Sequence, residues 1–471
     1  MRTDLDRLLA TAILVLAIIA GWSVAGAAGA LASGSRILVY FLVNLVLTFD
    51  VIDLITRIWV TKQHGAAARG PSVDLCLPEI SRAERRMTLS PYAVIVAVHD
   101  AADEVDRIIA NWMPLKESVW LIDDASNDDT LQRLRKQGWN CIDGGVNRKK
   151  PGALYHLLKT LPTEIETVFV LDPDVKWSAA ETAQRETIEE VISDFQRSGA
   201  AAVSPRIIAR RSGWLAECQA LEYELACELG RRSLGDLCTN SGASIYRRSV
   251  LQDTLTRHTL SVYAEDLENS LLLLAAGERI YYDSRLVLST EPKRTWCNWF
   301  SQRSGWSFGW AKVFIERLSL IMAVARRGPV GAYQYVFYFG INGIGMLPLK
   351  LASVAILGMS LLNGIDDVLA LNLVPDRSWN QPILFALWYL KTAVVLCVSC
   401  IVALPRGERW RHLATVPFYG FYAILQFVPI TVGFLNVLTL RLFGHRIYAD
   451  HYDPNPILFR AATADTAPAR S

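Results

Sequence analysis

The sequence lacks an excess of charge of either sign. Its 471 residues carry 48 Lys and Arg against 46 Asp and Glu, which gives a formal net charge of +2. Nucleic-acid-binding domains are usually strongly basic, so nothing in the composition indicates a nucleic-acid partner. The glycine-rich fingerprints of dinucleotide-binding folds and of P-loops do not follow the apolar runs, and this disfavours both classes.

Cysteine pairs with a convincing metal-binding context are also lacking. The eight Cys are scattered, and Cys397 and Cys400, three positions apart, fall in an apolar stretch where helix packing is the simpler interpretation. Dispersed cysteines of this kind are typical of a domain that faces the reducing cytosol. The sequence therefore indicates neither a zinc site nor a disulfide framework.

Long hydrophobic runs, in contrast, are abundant. Apolar residues make up 52% of the chain. Uncharged or nearly uncharged runs of about 18 residues or more predict transmembrane helices. We predict five, at residues 8–35, 37–60, 329–362, 382–404 and 413–440. Basic residues flank the segment between the second and third spans, which places it in the cytosol. Five crossings put the tail outside, whereas a re-entrant last segment would return it to the cytosol, and both remain open.

The second predicted span carries charges on one helical face. Asp53 and Arg57 stand four residues apart, the spacing at which a helical ion pair forms, and Asp50 lies on the same side. These residues either line a polar path through the membrane or form a paired face packed against neighbouring protein. Pairing is the simpler interpretation.

Between residues 82 and 294 apolar runs alternate with amphipathic segments. PYAVIVAVHD, SVWLID and ETVFVLD predict strands, and DEVDRIIANWM and TLQRLRKQG predict helices. Such alternation is typical of an α/β fold with a parallel sheet buried on both faces. Ligands bind at the carboxyl ends of the strands in these sheets. Here those ends carry His99-Asp100, Asp123-Asp124 and Asp172-Pro173-Asp174.

Carboxylate pairs at the ends of buried strands are costly unless a cation binds there. Asp172 and Asp174 suit a hard divalent ion, Mg²⁺ or Mn²⁺, which takes carboxylate oxygens together with substrate phosphate oxygens. Glu265 and Asp266 form another pair, after the apolar run SVYA. The alternative is that these are ordinary turn residues, since Asp and Pro both favour turns.

Taken together, the motifs resemble those of family 2 glycosyltransferases of the membrane polysaccharide-synthase type, the group of cellulose, hyaluronan, chitin and poly-N-acetylglucosamine synthases. The family's Asp-Asp-x-Ser-x-Asp-x-Thr motif runs from Asp123 to Thr130, and its Asp-x-Asp is Asp172 to Asp174. Its [Ser/Thr]-Glu-Asp motif is similar to Ala264-Glu265-Asp266. The resemblance covers about residues 90–310. It implies an α/β nucleotide-diphosphate-sugar-binding domain of the glycosyltransferase A type, next to an α-helical transmembrane region.

The resemblance also implies roles for single residues. Asp266 would be the general base, with Glu265 beside it in the catalytic pair, and a metal ion would lie on Asp172 and Asp174. Ser241 and Gly242, in NSGASIYRRSVL, fall in the segment that borders the acceptor. The residues implied for donor binding are His99, Asp100, Asp123, Asp124, Lys150, Asp172, Gln302 and Arg303.

The family's Gln-x-x-Arg-Trp motif is altered here. The sequence QRSGW retains Gln302 and Trp306, but Gly305 stands where the family has an arginine that contacts the donor diphosphate. Arg303 is the neighbouring cation that could replace it. Trp306 offers an aromatic surface for the apolar face of an acceptor sugar, and an interfacial membrane anchor is the alternative interpretation.

These observations predict a domain order. Two N-terminal transmembrane helices occupy 1–61, a cytosolic glycosyltransferase domain 62–295, amphipathic interfacial helices 296–328, about three transmembrane helices 329–443, and a polar tail 444–471.

The predicted activity is inverting, processive transfer from a UDP-sugar, glucose or N-acetylglucosamine, to a β-linked polysaccharide that is exported through the spans. The expected partners are this donor, a carbohydrate or lipid acceptor and the lipid bilayer of the plasma (bacterial inner) membrane. The alternatives are a non-processive lipid glycosyltransferase, similar to ceramide glucosyltransferases, and a catalytically impaired envelope scaffold.

Overall fold

The computed structural model describes residues 11–16, 18–19, 44–45, 48–59, 71–73, 75–78, 80–177, 181–259, 263–369, 382–404 and 406–448. The described residues fall into two compact units. The sheet unit draws on segments 67–210, 235–324 and 432–471, and the helical unit on 1–66, 211–234 and 325–431. Each is described by itself below.

The sheet unit is built on one sheet of eight strands in the order β3-β2-β1-β4-β7-β6-β8-β5. Strands β1, β2, β3 and β4 run parallel, as do β6 and β8, whereas β7 is antiparallel to β4 and β6, and β5 is antiparallel to β8. In chain order the strands are Tyr92–Val98, Val119–Asp123, Asn140–Asp143, Thr167–Leu171, Lys176–Trp177, Ala202–Ala209, Ser244–Arg247 and Ile280–Thr290.

Fourteen of the described α-helices are numbered here. In chain order α1 to α14 are Arg82–Thr88, Val105–Trp112, Thr130–Lys136, Lys149–Thr160, Glu181–Ser198, Trp214–Leu225, Arg248–Thr256, Glu265–Ala275, Trp296–Glu316, Leu318–Ala325, Leu347–Leu369, Pro382–Ala403, Arg406–Leu413 and Val416–Phe443. Residues 11–16 and 48–59 are also helical. A single helical turn, Pro329–Gly331, leads into a π-helical segment, Ala332–Gly345.

The predicted α/β architecture is confirmed, because the three apolar runs form β1, β2 and β4 and the two amphipathic runs form α2 and α3. Strand β4 is buried along its whole length, as expected for a strand covered on both faces. The three predicted strands run parallel to one another, as expected, but the prediction of a parallel sheet holds only in part, since β7 and β5 run the other way. These strands have four and two residues, too few to carry the apolar period from which direction and pairing are inferred.

The helical unit contains the polar face predicted on the second span. The Arg57 Nε lies 2.9 Å from Asp53 Oδ2, and its Nη2 donates to Gln334 Oε1 at 2.9 Å. The hydroxyls that approach this pair are Ser233 Oγ, 3.2 Å from Arg57 Nη1, and Tyr333 Oη, 2.5 Å from Asp53 Oδ1. The side chains therefore form a buried, mutually bonded cluster, as the pairing interpretation expects.

Among the described residues, two helices are long and apolar enough to cross a membrane, α11 and α14. The apolar stretch of α12, Trp388–Ala403, is shorter. The predicted span at 329–362 is not one regular helix, because the π-helical segment ends at Gly345 and α11 begins at Leu347. Most of the two N-terminal spans lies outside the described residues.

Candidate functional site

The sheet brings three strand ends to one edge. Strands β1, β2 and β4 are parallel neighbours, with Val98 opposite Asp123 and Val96 opposite Leu171. The polar residues that follow these strands therefore emerge side by side, as the sequence predicts for a parallel sheet.

Two carboxylates end β2 in a bonded loop. Asp123 Oδ1 accepts a 2.5 Å hydrogen bond from Ser126 Oγ, and Asp124 Oδ1 accepts one of 2.7 Å from the Arg148 N–H. Both acids are almost fully buried, at 2% and 3% exposure. Burial raises the pKa of Asp124, although the Arg148 N–H opposes this by bonding to the charged form.

The loop after β1 is tied to the loop after β2. Asp100 has a φ of 46°, and its Oδ1 accepts a 2.6 Å hydrogen bond from the Asn127 N–H. His99 Nε2 lies 3.1 Å from Asn147 Nδ2, in the loop after β3. Both side chains are exposed. His99 and Asp100 therefore lie at the accessible rim of the same edge.

A lysine connects the third strand end to a distant acidic pair. Lys150, in the first turn of α4, places its Nζ 2.5 Å from Asp172 Oδ1 and 2.7 Å from Glu265 Oε1. The Asp172 side chain is 34% exposed and that of Glu265 is 15% exposed. One cation thus joins the acid that follows β4 to the acid that begins α8.

The charges in this cluster perturb one another. Burial raises the pKa of Asp172 to about 7, with Glu265 and Asp174 adding to the rise and Lys150 opposing it. Burial alone would lower the pKa of Lys150, but Asp172 and Glu265 raise it well above its ordinary value. Two carboxylates therefore share one ammonium group, and the charge of Asp174 acts on the same cluster, so acidic groups outnumber the cation.

The loop before β7 approaches the Asp172 carboxylate closely. A Cβ placed on Gly242 would collide with Asp172 Oδ2 and lie 2.9 Å from its Cγ. Only glycine permits this approach. The neighbouring Ser241 is buried, and its hydroxyl donates to the Ala243 carbonyl at 2.9 Å. Gly242 therefore borders the site directly, whereas the Ser241 side chain is engaged within its own loop.

Asp174 lies at the start of the β4–β5 connection. Its Oδ2 accepts a 3.0 Å hydrogen bond from Thr290 Oγ1, at the end of β8. This contact links the Asp-x-Asp segment to a strand more than a hundred residues later in the chain.

Asp266 lies in the first turn of α8, directly after Ala264 and Glu265. Ala264 has a φ of 58°, so the chain reverses sharply just before the acidic pair. The Asp266 Oδ1 accepts a 2.8 Å bond from the Leu267 N–H. Burial raises the pKa of Tyr246 on β7, and the charge of Asp266 adds to the rise. Asp266 therefore lies near the middle of the sheet, beside the Lys150 cluster.

Helix α9 carries the remaining predicted residues. The Arg303 guanidinium lies 4.2 Å from the centre of the Trp306 ring, and its Nη1 donates to Gln302 Oε1 at 2.8 Å. Arg303 is 5% exposed and Trp306 is 41% exposed. The indole thus offers an open aromatic surface with a cation held against it.

Gly305 has a packing role that the sequence analysis missed. A Cβ on Gly305 would lie 2.7 Å from Tyr263 Cζ, and a Cβ on Gly309 would lie 2.6 Å from Tyr263 Cβ. These distances are too short for real side chains. The Tyr263 ring therefore occupies the space that an arginine side chain at position 305 would need. The four-residue spacing of the two glycines was the available signal.

The donor set fits a hard divalent ion only in part. Among the residues that the structure describes, no group of three or more His, Cys, Asp or Glu could hold a metal ion by itself. Magnesium, however, is usually held by one or two carboxylates together with water and substrate phosphates. Asp172 and Asp174 supply two such groups, and burial raises the pKa of Asp172, with Glu265 and Asp174 adding to the rise. These residues fit an ion that arrives with a phosphate-bearing substrate.

No family model matches the sequence, and no curated protein matches it significantly. Among solved structures, glucosyl-3-phosphoglycerate synthase from Mycobacterium tuberculosis in complex with Mn²⁺ and UDP-glucose is 16% identical, with 48% of this chain and 80% of that chain covered and a TM-score of 0.31. The phosphoglyceric acid complex of that synthase is 15% identical, with 50% of this chain and 84% of that chain covered and a TM-score of 0.31. Mannosyl-3-phosphoglycerate synthase from Rubrobacter xylanophilus is 16% identical, with 37% of this chain and 59% of that chain covered and a TM-score of 0.26. Similarities this weak establish neither a shared fold nor a shared function.

Proposed function

We propose that this chain is a membrane-bound glycosyltransferase of the family 2 type, with a glycosyltransferase A-like sheet unit. The observation that carries the proposal is the position of the Lys150 Nζ, 2.5 Å from Asp172 and 2.7 Å from Glu265. It draws the acids that the family resemblance assigns to the donor diphosphate and to catalysis into one ionic cluster. Such a cluster, with a perturbed pKa at the edge of an α/β sheet, is typical of a functional site.

The donor would be a UDP-sugar that lies along the edge formed by β1, β2 and β4. Asp123 and Asp124, with His99 and Asp100 at the rim, would hold the nucleoside. The buried, hydrogen-bonded state of the first two acids supports this, because it gives a fixed polar surface. The residues that would face the diphosphate are Lys150, Asp172, Gln302 and Arg303.

The proposed reaction is a single displacement. The acceptor hydroxyl oxygen forms a bond to the anomeric carbon while the bond from that carbon to the diphosphate breaks, and the bonding electrons leave with UDP. The hydroxyl proton passes to the Asp266 carboxylate, with Glu265 beside it holding Lys150 in place. Lys150 neutralises charge on the departing diphosphate. A divalent ion held by Asp172 and Asp174 would add to that neutralisation when bound.

The acceptor would approach from the side of α9 and of the loop that contains Ser241 and Gly242. Trp306 supports this orientation, because it is 41% exposed and presents an aromatic face on which a sugar ring can stack. Gly242 contributes backbone without a side chain next to Asp172. A polymer end or a lipid-linked sugar would fit the same requirement.

We further propose that the protein spans the plasma (bacterial inner) membrane several times, with the sheet unit in the cytosol, and that it extends and exports a β-linked polysaccharide. The apolar helices α11 and α14 support membrane insertion. The predicted domain order, with spans before and after the transferase domain, would tether that domain to the bilayer.

A donor screen tests the proposal. The purified full-length protein in lipid nanodiscs is supplied with Mn²⁺ and one of several UDP- or GDP-sugars, and the released nucleotide is measured. The expected result is UDP release from UDP-glucose or UDP-N-acetylglucosamine, with long labelled polymer on a sizing gel. A single sugar on a lipid would instead indicate a lipid glycosyltransferase, and no release from any donor would overturn the enzymatic proposal.

A further inference from the structure

Two glycines of α9 form a groove filled by a residue outside the recognised motifs. Gly305 and Gly309 lie one helical turn apart, and both contact Tyr263. At Gly305 the contact is with the ring, because an added Cβ would lie 2.7 Å from Cζ. At Gly309 it is with the main chain, because an added Cβ would lie 2.6 Å from the Tyr263 carbonyl carbon and oxygen. The whole residue therefore sits on the helix surface.

Tyr263 leads directly into the acidic pair. Ala264 follows with a φ of 58°, and Glu265 and Asp266 then begin α8. Only Ala264 separates Tyr263 from Glu265, so a shift of Tyr263 against α9 would also move the carboxylates of the acidic pair. Tyr263 also packs against a buried cluster that includes Phe308 and Ala311 of α9.

We propose that Tyr263 is a positioning residue: seated on Gly305 and Gly309, it fixes the Glu265–Asp266 pair relative to α9. The inference rests on the proposed glycosyl transfer. It assigns a purpose to Gly305, the position at which the sequence departs from the family motif. One contact then sets the distance between the proposed base and the helix that carries Gln302, Arg303 and Trp306.

The two glycines allow a matched test. Replacing Tyr263 by Ala removes the ring but keeps the main chain and Cβ. Gly305→Ala, which collides with the ring, should therefore be relieved in the Tyr263→Ala background. Gly309→Ala, which collides with the carbonyl and Cβ, should not be relieved there. The two double variants thus separate the ring contact from the main-chain contact.

The measurements are kcat for sugar transfer and the affinity for UDP, on full-length protein in nanodiscs. Misplacement of a reacting group by about 1 Å lowers turnover on the order of 100-fold. We expect kcat to fall about 10- to 100-fold in each single variant, while UDP affinity stays within about twofold. Gly305→Ala should add no further loss to Tyr263→Ala, and Gly309→Ala should add its full loss. Tyr263→Phe, which keeps the ring, should recover most of the turnover lost in Tyr263→Ala.

Several outcomes would overturn the proposal. Losses that are additive for Gly305→Ala and Tyr263→Ala would contradict the ring contact. A lowered unfolding temperature with unchanged kcat would leave a purely structural contact and no positioning role. Wild-type protein that turns over no nucleotide sugar would instead refute the proposed function itself, and the positioning role with it.

Discussion

Glu265 and Glu268 lie one helical turn apart on α8, and both are paired with basic side chains. The Glu268 side chain is fully buried and accepts bonds from Arg317 Nε at 2.7 Å and Thr259 Oγ1 at 2.5 Å, with His258 Nε2 at 3.4 Å. Glu265 is 15% exposed, and its bond from Lys150 is shared with Asp172. Helix α8 thus carries Glu268 in a buried group with Arg317, Thr259 and His258, called the sealed cluster below. It also carries Glu265 in a partly exposed group with Lys150 and Asp172, called the open cluster.

The difference separates a structural ion cluster from a candidate reaction centre. At Glu268 the donors come from the loop before α8 and from the end of α9, and they satisfy the carboxylate. At Glu265 one lysine is shared by two acids, so an added cation, alone or together with the phosphate that it neutralises, has a favourable place to bind. Burial alone therefore does not mark the site, whereas an imbalance of charge with access to solvent does.

Breaking the sealed cluster should give the largest effect, and on stability. Arg317→Met leaves Glu268 buried beside the neutral His258, and loss of one partner of a buried pair costs about 3–5 kcal/mol. The unfolding free energy in detergent should fall by this amount. Lys312→Met, within α9 and five residues before Arg317, is the control and should change it by less than about 0.5 kcal/mol. Equal effects would mean that the cluster does not stabilise the fold.

Breaking the open cluster should act on turnover instead. Lys150→Met removes the cation that faces Asp172 and Glu265, and loss of a charge-stabilising donor typically lowers kcat by about 10²- to 10³-fold. The unfolding temperature should also fall, because Asp172 and Glu265 lose their shared cation, but by less than in Arg317→Met, since both carboxylates keep some contact with solvent. Lys149→Met, the neighbouring lysine, should retain activity within about tenfold of wild type. Equal turnover in both variants would remove Lys150 from the mechanism.

A smaller, pH-dependent effect should distinguish the clusters further. Burial lowers the pKa of His258, against the opposing pull of Glu268. The unfolded chain then binds a proton below about pH 6.5 that the folded chain resists, so this contribution to stability is complete above that pH and is lost as the pH falls. The unfolding temperature of wild type, measured from pH 8 to 5.5, should fall more steeply than that of His258→Gln. Parallel curves would show that His258 is not the titrating group.

The local parts of the site were predictable from the sequence. Apolar runs that end in Asp123-Asp124 and Asp172-Pro173-Asp174 specify strands whose carboxyl ends are polar, and parallel pairing then brings those ends together. Helices α2 and α3 follow from their amphipathic pattern. These features depend on residues close in the chain, where periodicity and turn chemistry carry the information.

The long-range contacts were not predictable. The bond between Lys150 and Glu265 joins residues 115 positions apart, and no local pattern reports such a pairing. The antiparallel β7 is too short to show a period. In the sequence, Gly305 is only a position that lacks the arginine of the family motif, whereas in the structure it contacts the ring of Tyr263. That replacement is understandable only when both elements are seen together.

The central claim is that Asp266 takes the acceptor proton at a centre whose donor side is built from other residues. The most direct test compares UDP affinity and kcat for wild type and Asp266→Asn in nanodiscs with Mn²⁺. Loss of a general base lowers turnover by about 10²- to 10⁴-fold, and UDP affinity should stay within about twofold, because the proposal assigns Asp266 to the acceptor proton and assigns donor binding to other residues. Turnover retained in Asp266→Asn would contradict the assignment of the base.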